Sequence, residues 1–253
     1  MNISNQNIFE RLEAVSTATI SGVLHQFGIT STFIVGPKSR NPGSKIAGKA
    51  VTLRFMPKRE DMLPSANNKD ISNQNNEKSV AQEYSENTSA LWKVLDTIQP
   101  GDVLVVDARG SMKTGCIGEM LSTYFKAKGG IGIIVDGCVR DSKEIEKTGV
   151  PVWSKGVTPN FASQTNLFPW DFNVPIACGE TLVLPGDFIV ADDDGPIVIP
   201  TSMVGKVLEE TEEHEEWEIF SKLKLENGGE ISKYYPLNDE GKKEYEIWKK
   251  QNS

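Results

Sequence analysis

Between Leu91 and Gly156 the sequence alternates two textures: short runs dense in Val and Ile, and segments with apolar residues at helical spacing. LWKVLDTI reads as a helix closed by the turn Gln99-Pro100-Gly101-Asp102, and VLVVDA as a buried strand. GCIGEMLSTYFKAKGG reads as a helix ending in glycines and GIGIIVDG as a second buried strand. SKEIEKTG follows as a short helix and VPVWSKG as a third strand. Strands that are apolar at nearly every position must be covered on both faces. Strands that alternate with helices are joined by crossovers that leave them parallel. This region restricts the chain to an α/β fold with a parallel core.

The flanks fit around that core. IFERLEAV places Ile8, Leu12 and Val15 at helical spacing, and STATISGVLHQFG makes a second helix ending on Gly28, a natural C-cap. In KIAGKAVTLRF the apolar residues mostly alternate, which marks a strand. Residues 58–86 are rich in Asn, Ser and charge and cannot bury much apolar surface alone. They are expected to be either a loop over the site or a surface decoration. After Phe172, the runs VPIACG, ETLVLPGDFIVAD and GPIVIP are β in texture, with Asp192-Asp193-Asp194-Gly195 as a turn. A charged helix is expected over about Ser202 to Leu223, then a helical extension at about 224–253. Neither an internal repeat nor a clear boundary divides the chain, so 1–253 reads as a single domain.

Charge and composition exclude several classes. With 35 acidic and 27 basic residues the net charge is −8, which disfavours non-specific attraction to nucleic acid or anionic lipid. No stretch approaches the roughly 20 consecutive apolar residues of a membrane span. The N-terminal MNISNQNIFERLE is polar and then amphipathic, unlike a secretory leader. Cys116, Cys138 and Cys178 are odd in number and show no CxxC spacing, against a disulfide framework or structural zinc. A reduced, cytoplasmic protein is the expectation.

The segment with chemical content is GCIGEMLSTYFKAKGGIGIIVDGCVRD, Gly115 to Asp141. Glu119 falls in the first turn of a helix that follows one buried strand; Arg140 and Asp141 fall just past the next. In parallel strand–helix architecture both loops emerge at the carboxyl edge of the sheet, where ligands collect. Glu119 and Asp141 are the oxygen ligands expected for Mg²⁺ or Mn²⁺. Arg140 offers a planar fork of donors for a carboxylate or enolate oxygen. Backbone N–H groups around Thr114 to Ile117, opening the helix, suit a substrate carboxylate, which makes Gly115, Cys116, Ile117 and Gly118 candidate substrate contacts. A surface salt bridge among the three charged residues is the alternative. Gly115, Gly118, Gly132 and Gly137 serve either a close ligand approach or tight helix–sheet packing. His25 and His214 lie far apart and suit structural or solvent roles, and Cys116 and Cys138 read as small packing residues.

An acidic residue, twenty residues and then Arg-Asp is the pattern here: Glu119, Met120 to Val139, then Arg140-Asp141. This segment resembles the signature of the class II 4-hydroxy-4-methyl-2-oxoglutarate aldolases and the related regulators of ribonuclease activity A. GDVLVVDARG before it, VPVWSKGVTP after it and VPIACGETLVLPGDFIVADDDGPIVIP resemble further family segments, so the similarity runs from about Leu12 to Trp217. The resemblance implies a swivelling β/β/α fold like that of phosphohistidine domains, assembled as a homotrimer or homohexamer with sites at subunit interfaces. It implies a Mg²⁺ or Mn²⁺ cofactor, with Asp141 as direct ligand, Glu119 supporting its water, and Arg140 binding the keto acid and its enolate. The activity implied is cleavage of a 4-hydroxy-2-keto acid to pyruvate, with oxaloacetate decarboxylation through the same enolate. The alternatives it permits are a non-catalytic regulator of a ribonuclease, or a dehydratase or decarboxylase on a related acid. The family pattern more often begins with Asp than with Glu, and Gly22 stands where relatives often carry Asp. No GxGxG turn follows the first buried strand, so a methyltransferase is not supported.

Overall fold

A computed structural model describes residues 3–59 and 89–252; the expected insertion at 58–86 lies almost wholly outside them. The chain falls into two compact units, Met1–Val204 and Gly205–Ser253.

The first unit begins with helices α1 (Ile3–Ala14) and α2 (Thr17–Gln26). The Ser16 hydroxyl caps α2 by accepting the Thr19 N–H at 3.0 Å, a contact of about 1 kcal/mol. Strands β1 (Lys38–Ser39) and β2 (Ile46–Pro57) precede α3 (Ala90–Thr97). The alternation then runs β3 (Asp102–Gly115), α4 (Glu119–Ala127), β4 (Gly132–Val139), α5 (Ser142–Thr148) and β5 (Val152–Val157). A 3₁₀ turn, Ala162–Gln164, leads into β6 (Leu167–Phe172), the hairpin β7 (Ile176–Cys178) and β8 (Thr181–Val183), and finally β9 (Phe188–Ala191) and β10 (Pro196–Ile199).

The described residues build an eight-stranded sheet in the order β1-β5-β4-β3-β2-β9-β10, with β6 also paired to β2. Strands β2, β3, β4 and β5 are mutually parallel, as the alternation predicts; β1, β6 and β9 run antiparallel to them, and β10 pairs antiparallel with β9. The continuous apolar texture follows from burial on both sides. Leu104 and Val106 of β3 and Ile133 and Val135 of β4 pack with Leu91 and Val94 of α3, Phe125 of α4 and Ile145 of α5. Their neighbours Val103, Val105 and Ile134 point to the opposite face, against Ile176, Cys178 and Val183 of the β7–β8 hairpin. The unit is a mixed α/β structure in three layers: hairpin, sheet, helices.

One element differs from the sequence reading. The segment RGSMKTG continues β3 to Gly115 instead of leading into the helix, with register shifts between Asp107 and Ser111 and between Ser111 and Gly115. The shifts let a half-exposed polar stretch stay on the sheet edge while skipping partners, a pattern without clean alternation.

The second unit contains most of α6 (Val204–Glu226), then α7 (Ile231–Tyr234) and α8 (Asp239–Asn252). Its boundary at Gly205 lies well before the extension expected at about 224. Phe220, Tyr234 and Tyr245 are its core, with Trp217, Leu237 and Trp248 packed on them. Glu244 takes an ammonium from each of Lys233 (2.8 Å) and Lys224 (3.0 Å), and these partners with the Tyr234 hydroxyl hold its carboxyl down at about 2.

Candidate functional site

Parallel strands put the ends of β3, β4 and β5 on one edge, and the loops leaving them converge there. The loop Cys116–Gly118 joins β3 to α4, and Arg140 with Asp141 joins β4 to α5. The two loops are tied together directly. The Arg140 N–H donates to the Ile117 carbonyl at 3.0 Å, and the Cys116 N–H to the Cys138 carbonyl at 2.9 Å.

Gly118 is the point of closest approach. A Cβ there would stand 2.7 Å from Oδ2 of Asp141 and 2.9 Å from Nε of Arg140. Its backbone is extended (φ −127°), so only the crowding calls for glycine. Glu119 is the first residue of α4 and follows Gly118 directly, so its backbone stands next to the point where Arg140 and Asp141 approach. Gly115 has a similar constraint: a Cβ would collide with the Asn160 carbonyl and stand 3.1 Å from Cβ of Arg140.

Asp141 adopts a left-handed backbone (φ 54°, ψ 37°) at the N-cap position of α5, yet its side chain makes no capping bond. An Asp there ordinarily accepts an N–H of the first turn. Here the carboxylate is turned to the Arg140 guanidinium, Nε to Oδ2 3.5 Å, with both side chains about two-fifths exposed (39% and 41%). A pair so exposed and long contributes little stability. The arrangement therefore leaves carboxylate oxygens available at the rim.

Beside this corner lies a cleft of about 120 Å³. Arg140, Gly115, Cys116 and Gly118 form one side of it. Ser89 with Leu91 and Trp92 of α3, Leu121 of α4, Phe161 with Ala162, and Phe168 with Pro169 of β6 form the rest. The Arg140 guanidinium sits 6.0 Å over the Phe161 ring, a cation–π contact that orients the cation. Glu119 and Asp141 are not among the residues lining the cleft, though each adjoins one in sequence: Gly118 and Arg140. Ile117 belongs to the core at 1% exposure and contributes its carbonyl, not its side chain.

The expectation that amides from Thr114 onward bind a carboxylate needs correction. The Gly115 N–H is spent on Asn160 (3.1 Å) and the Cys116 N–H on Cys138, because β3 extends to Gly115. Donors without intrahelical acceptors begin at the start of α4, with Gly118 and Glu119. The Cys116 thiol is fully enclosed, and burial pushes its pKa far up, which makes it a packing group. His25 is exposed on α2, and His214 pairs with Glu218 at 3.1 Å.

The fit to a divalent cation rests on the donor set. Among the described residues no group of three or more His, Cys, Asp or Glu converges, so a zinc-type protein cage is not offered there. Mg²⁺ and Mn²⁺ need less: one or two carboxylates, with water completing the shell. Asp141, after β4, and Glu119, at the start of α4, are carboxylates of the type such an ion takes.

Sequence reasoning missed the apolar wall. Trp92, Phe161 and Phe168 come from three separated segments; Trp92, 49% exposed, is the large apolar side chain on the outer face of α3, which it shares with Lys93 and Asp96. A second polar cluster lies on the hairpin face of the sheet. There Lys155 pairs with the buried Asp136 at 2.7 Å, and burial together with the nearby Asp136 charge pushes the Asp107 carboxyl up.

Fold and site together define an α/β protein with an Arg–carboxylate corner beside a small cleft at the carboxyl edge of parallel strands. The chain belongs to the RraA-like family (Aldolase/RraA), whose model matches residues 17–198. It is similar to the crystal structure of Streptomyces coelicolor RraAS2, an unusual member of the RNase ES inhibitor RraA protein family. The identity is 44%, with 85% of this chain and 96% of that one covered and a TM-score of 0.73. It is also 32% identical over 115 residues to the 4-hydroxy-4-methyl-2-oxoglutarate aldolase of Thermus thermophilus, covering 46% of this chain and 69% of that one. The chain spans about half the length of other curated relatives: 56% of one from Halalkalibacterium halodurans and 50% of one from Methanocaldococcus jannaschii. No described helix is long and apolar enough to cross a membrane.

Proposed function

We propose that this protein is a divalent-metal-dependent lyase that cleaves a 4-hydroxy-2-keto acid to pyruvate and a carbonyl compound. The observation carrying this reading is the convergence at Gly118 of Arg140 Nε and Asp141 Oδ2, 2.9 and 2.7 Å from the position a Cβ would take. A protein–protein surface has no need to pack a guanidinium and an uncapped carboxylate this closely against one backbone glycine.

Arg140 binds the substrate carboxylate through its fork of donors and faces the oxygen on which charge develops. Asp141 and Glu119 would hold a Mg²⁺ or Mn²⁺ ion, which would supply Lewis acidity toward the keto acid. As the C3–C4 bond breaks, its electron pair passes into the keto carbonyl, the 4-hydroxyl gives up its proton, and a carbonyl forms at C4. A proton returned to C3 completes pyruvate. Phe161 keeps the guanidinium in place through this charge change, and the apolar wall keeps water from the enolate. Oxaloacetate reaches the same enolate by losing CO₂. Homo-oligomeric assembly, as a trimer or hexamer, is part of the proposal.

The test is pyruvate release by a lactate dehydrogenase-coupled assay on metal-stripped protein resupplied with Mg²⁺ or Mn²⁺. The substrates are 4-hydroxy-4-methyl-2-oxoglutarate and oxaloacetate. Metal-dependent turnover that disappears in Arg140→Ala and Asp141→Ala is the expected result. Absence of both turnover and metal binding would overturn the reading.

A second reading is favoured by the 44% identity to RraAS2 over 85% of this chain: a regulator that inhibits a ribonuclease by contact. Inhibition that survives Arg140→Ala and Asp141→Ala, with no lyase activity in the parent protein, would decide for it.

A further inference from the structure

We infer that Thr114 is a positioning residue for Arg140, acting through Phe161; this rests on the lyase reading above, in which Arg140 holds the substrate carboxylate. Thr114 is fully enclosed, at 0% exposure, and a buried hydroxyl needs hydrogen-bond partners. Its Oγ1 lies 2.8 Å from Thr165 Oγ1 and 3.0 Å from Ser111 Oγ. The Thr165 hydroxyl donates to the Ala162 carbonyl at 3.1 Å. Each hydroxyl has one proton to give, so Thr114 donates to Thr165 and Ser111 donates to Thr114. The Lys113 and Leu167 N–H groups donate to the two ends of this chain, Ser111 Oγ and Thr165 Oγ1, each at 3.3 Å. One proton order thus runs from the last turn of β3 to the turn before β6, through partners that all belong to the same polypeptide.

The turn held in this way carries Phe161, the residue capping Ala162–Gln164. Upstream of the ring, the Asn160 carbonyl accepts the Gly115 N–H at 3.1 Å, and Asn160 Nδ2 donates to the Lys113 carbonyl at 3.2 Å. Downstream, the bond from Thr114 to Thr165 fastens the turn to the same stretch of β3. Phe161 is therefore clamped on both sides, with its ring 6.0 Å from the Arg140 guanidinium. Losing the downstream tie lets the turn pivot about Asn160, and the ring no longer fixes where the guanidinium points. Thr114→Val keeps the shape of the side chain and removes only the hydroxyl.

The experiment is a double-mutant cycle on KM and kcat for pyruvate release, with Thr114→Val, Phe161→Leu and the pair combined. KM is expected to rise about two- to fivefold in each single variant, the span of an exposed cation–π contact, with kcat changing less. The combined variant should match Phe161→Leu alone, because Thr114 acts through that ring. Thr114→Ser, which keeps the hydroxyl, should restore the parent KM. A drop of about 2–4 °C in melting temperature is expected for Thr114→Val with or without Phe161, so stability and KM separate. If Thr114→Val does not fold, Thr165→Val breaks the same bond from its more open side and enters the same cycle. An unchanged KM, multiplying effects in the combined variant, or no rescue by serine would overturn the inference and leave the lyase reading standing. If the parent protein turns over neither substrate, the lyase reading fails, and the cycle is read on pyruvate affinity by NMR titration. Coupled losses of affinity there would support the inference; independent losses, or no binding of pyruvate, would sink it.

Discussion

Asp141 allows fold and function to be separated by substitution. Its backbone is left-handed at φ 54°, a conformation costing an ordinary L-residue about 1–2 kcal/mol and Asp or Asn less. Its side chain makes no capping bond, so truncation forfeits none of the roughly 1 kcal/mol that a cap supplies. The 3.5 Å ion pair with Arg140 is too exposed to matter. Asp141→Ala therefore retains the conformational cost without the tolerance of Asp. Asp141→Gly removes that cost but adds about 0.5–1 kcal/mol of unfolded-state entropy. The glycine variant should exceed the alanine variant by about 1 kcal/mol, or about 2–4 °C in melting temperature for a chain of this size. It should also lie within about 2 °C of the parent protein. Asp141→Asn should melt with the parent. All three should lose metal-dependent pyruvate release. Scanning fluorimetry and the coupled assay, run on one preparation of each variant, give both quantities. If alanine is as stable as glycine, the backbone at 141 is not held left-handed. If glycine is destabilised by more than about 2 kcal/mol, the carboxylate serves the fold, because such a loss exceeds any single surface contact.

Gly118→Ala places a methyl group 2.7 Å from Asp141 Oδ2 and 2.9 Å from Arg140 Nε. Turnover should fall by about a hundredfold, the usual cost of an ångström of misplacement, while circular dichroism stays unchanged. Arg140→Lys keeps the charge but loses the fork, so KM for a keto acid should rise by at least about tenfold with little change in melting temperature. Lys155→Met leaves Asp136 buried without its partner at 2.7 Å. The pair is partly open to solvent, so about 2 kcal/mol is expected, below the roughly 3–5 kcal/mol of a fully buried one; adding Asp136→Asn should recover part of it. In the second unit, Glu244 is held below its ordinary 4.5, at about 2. Its contribution is present above pH 4.5 and lost as pH falls through about 2. Melting temperature should therefore decline more over that interval in the parent protein than in Glu244→Gln.

How much the sequence discloses depends on whether a feature is local. The parallel core is readable because burial on both faces leaves VLVVDA and GIGIIVDG apolar at nearly every position, and few other structures need that. The continuation of β3 through RGSMKTG is not. Its shifted register with β4 satisfies the ladder without alternation, so no period marks it. That one extension also consumes the amides of Gly115 and Cys116, which read as free when the strand is ended at Ala108. The left-handed turn at Asp141 is equally silent, since Asp both caps helices and tolerates that conformation.

The charged corner and the cleft wall differ for the same reason. Glu119 opens the helix after β3, and Arg140 and Asp141 follow the adjacent parallel strand β4, so chain order alone brings them to one edge. The wall is assembled from α3, the turn before β6, and β6 itself, which reaches the site by pairing antiparallel with β2. No spacing in the sequence connects Trp92 to Phe168; only the sheet order does. The charged groups to which the proposed lyase reading gives the chemistry can thus be read from a motif. The apolar wall is set instead by which strand closes the edge beside that motif, so its residues can change without any change in the acid–Arg–Asp spacing.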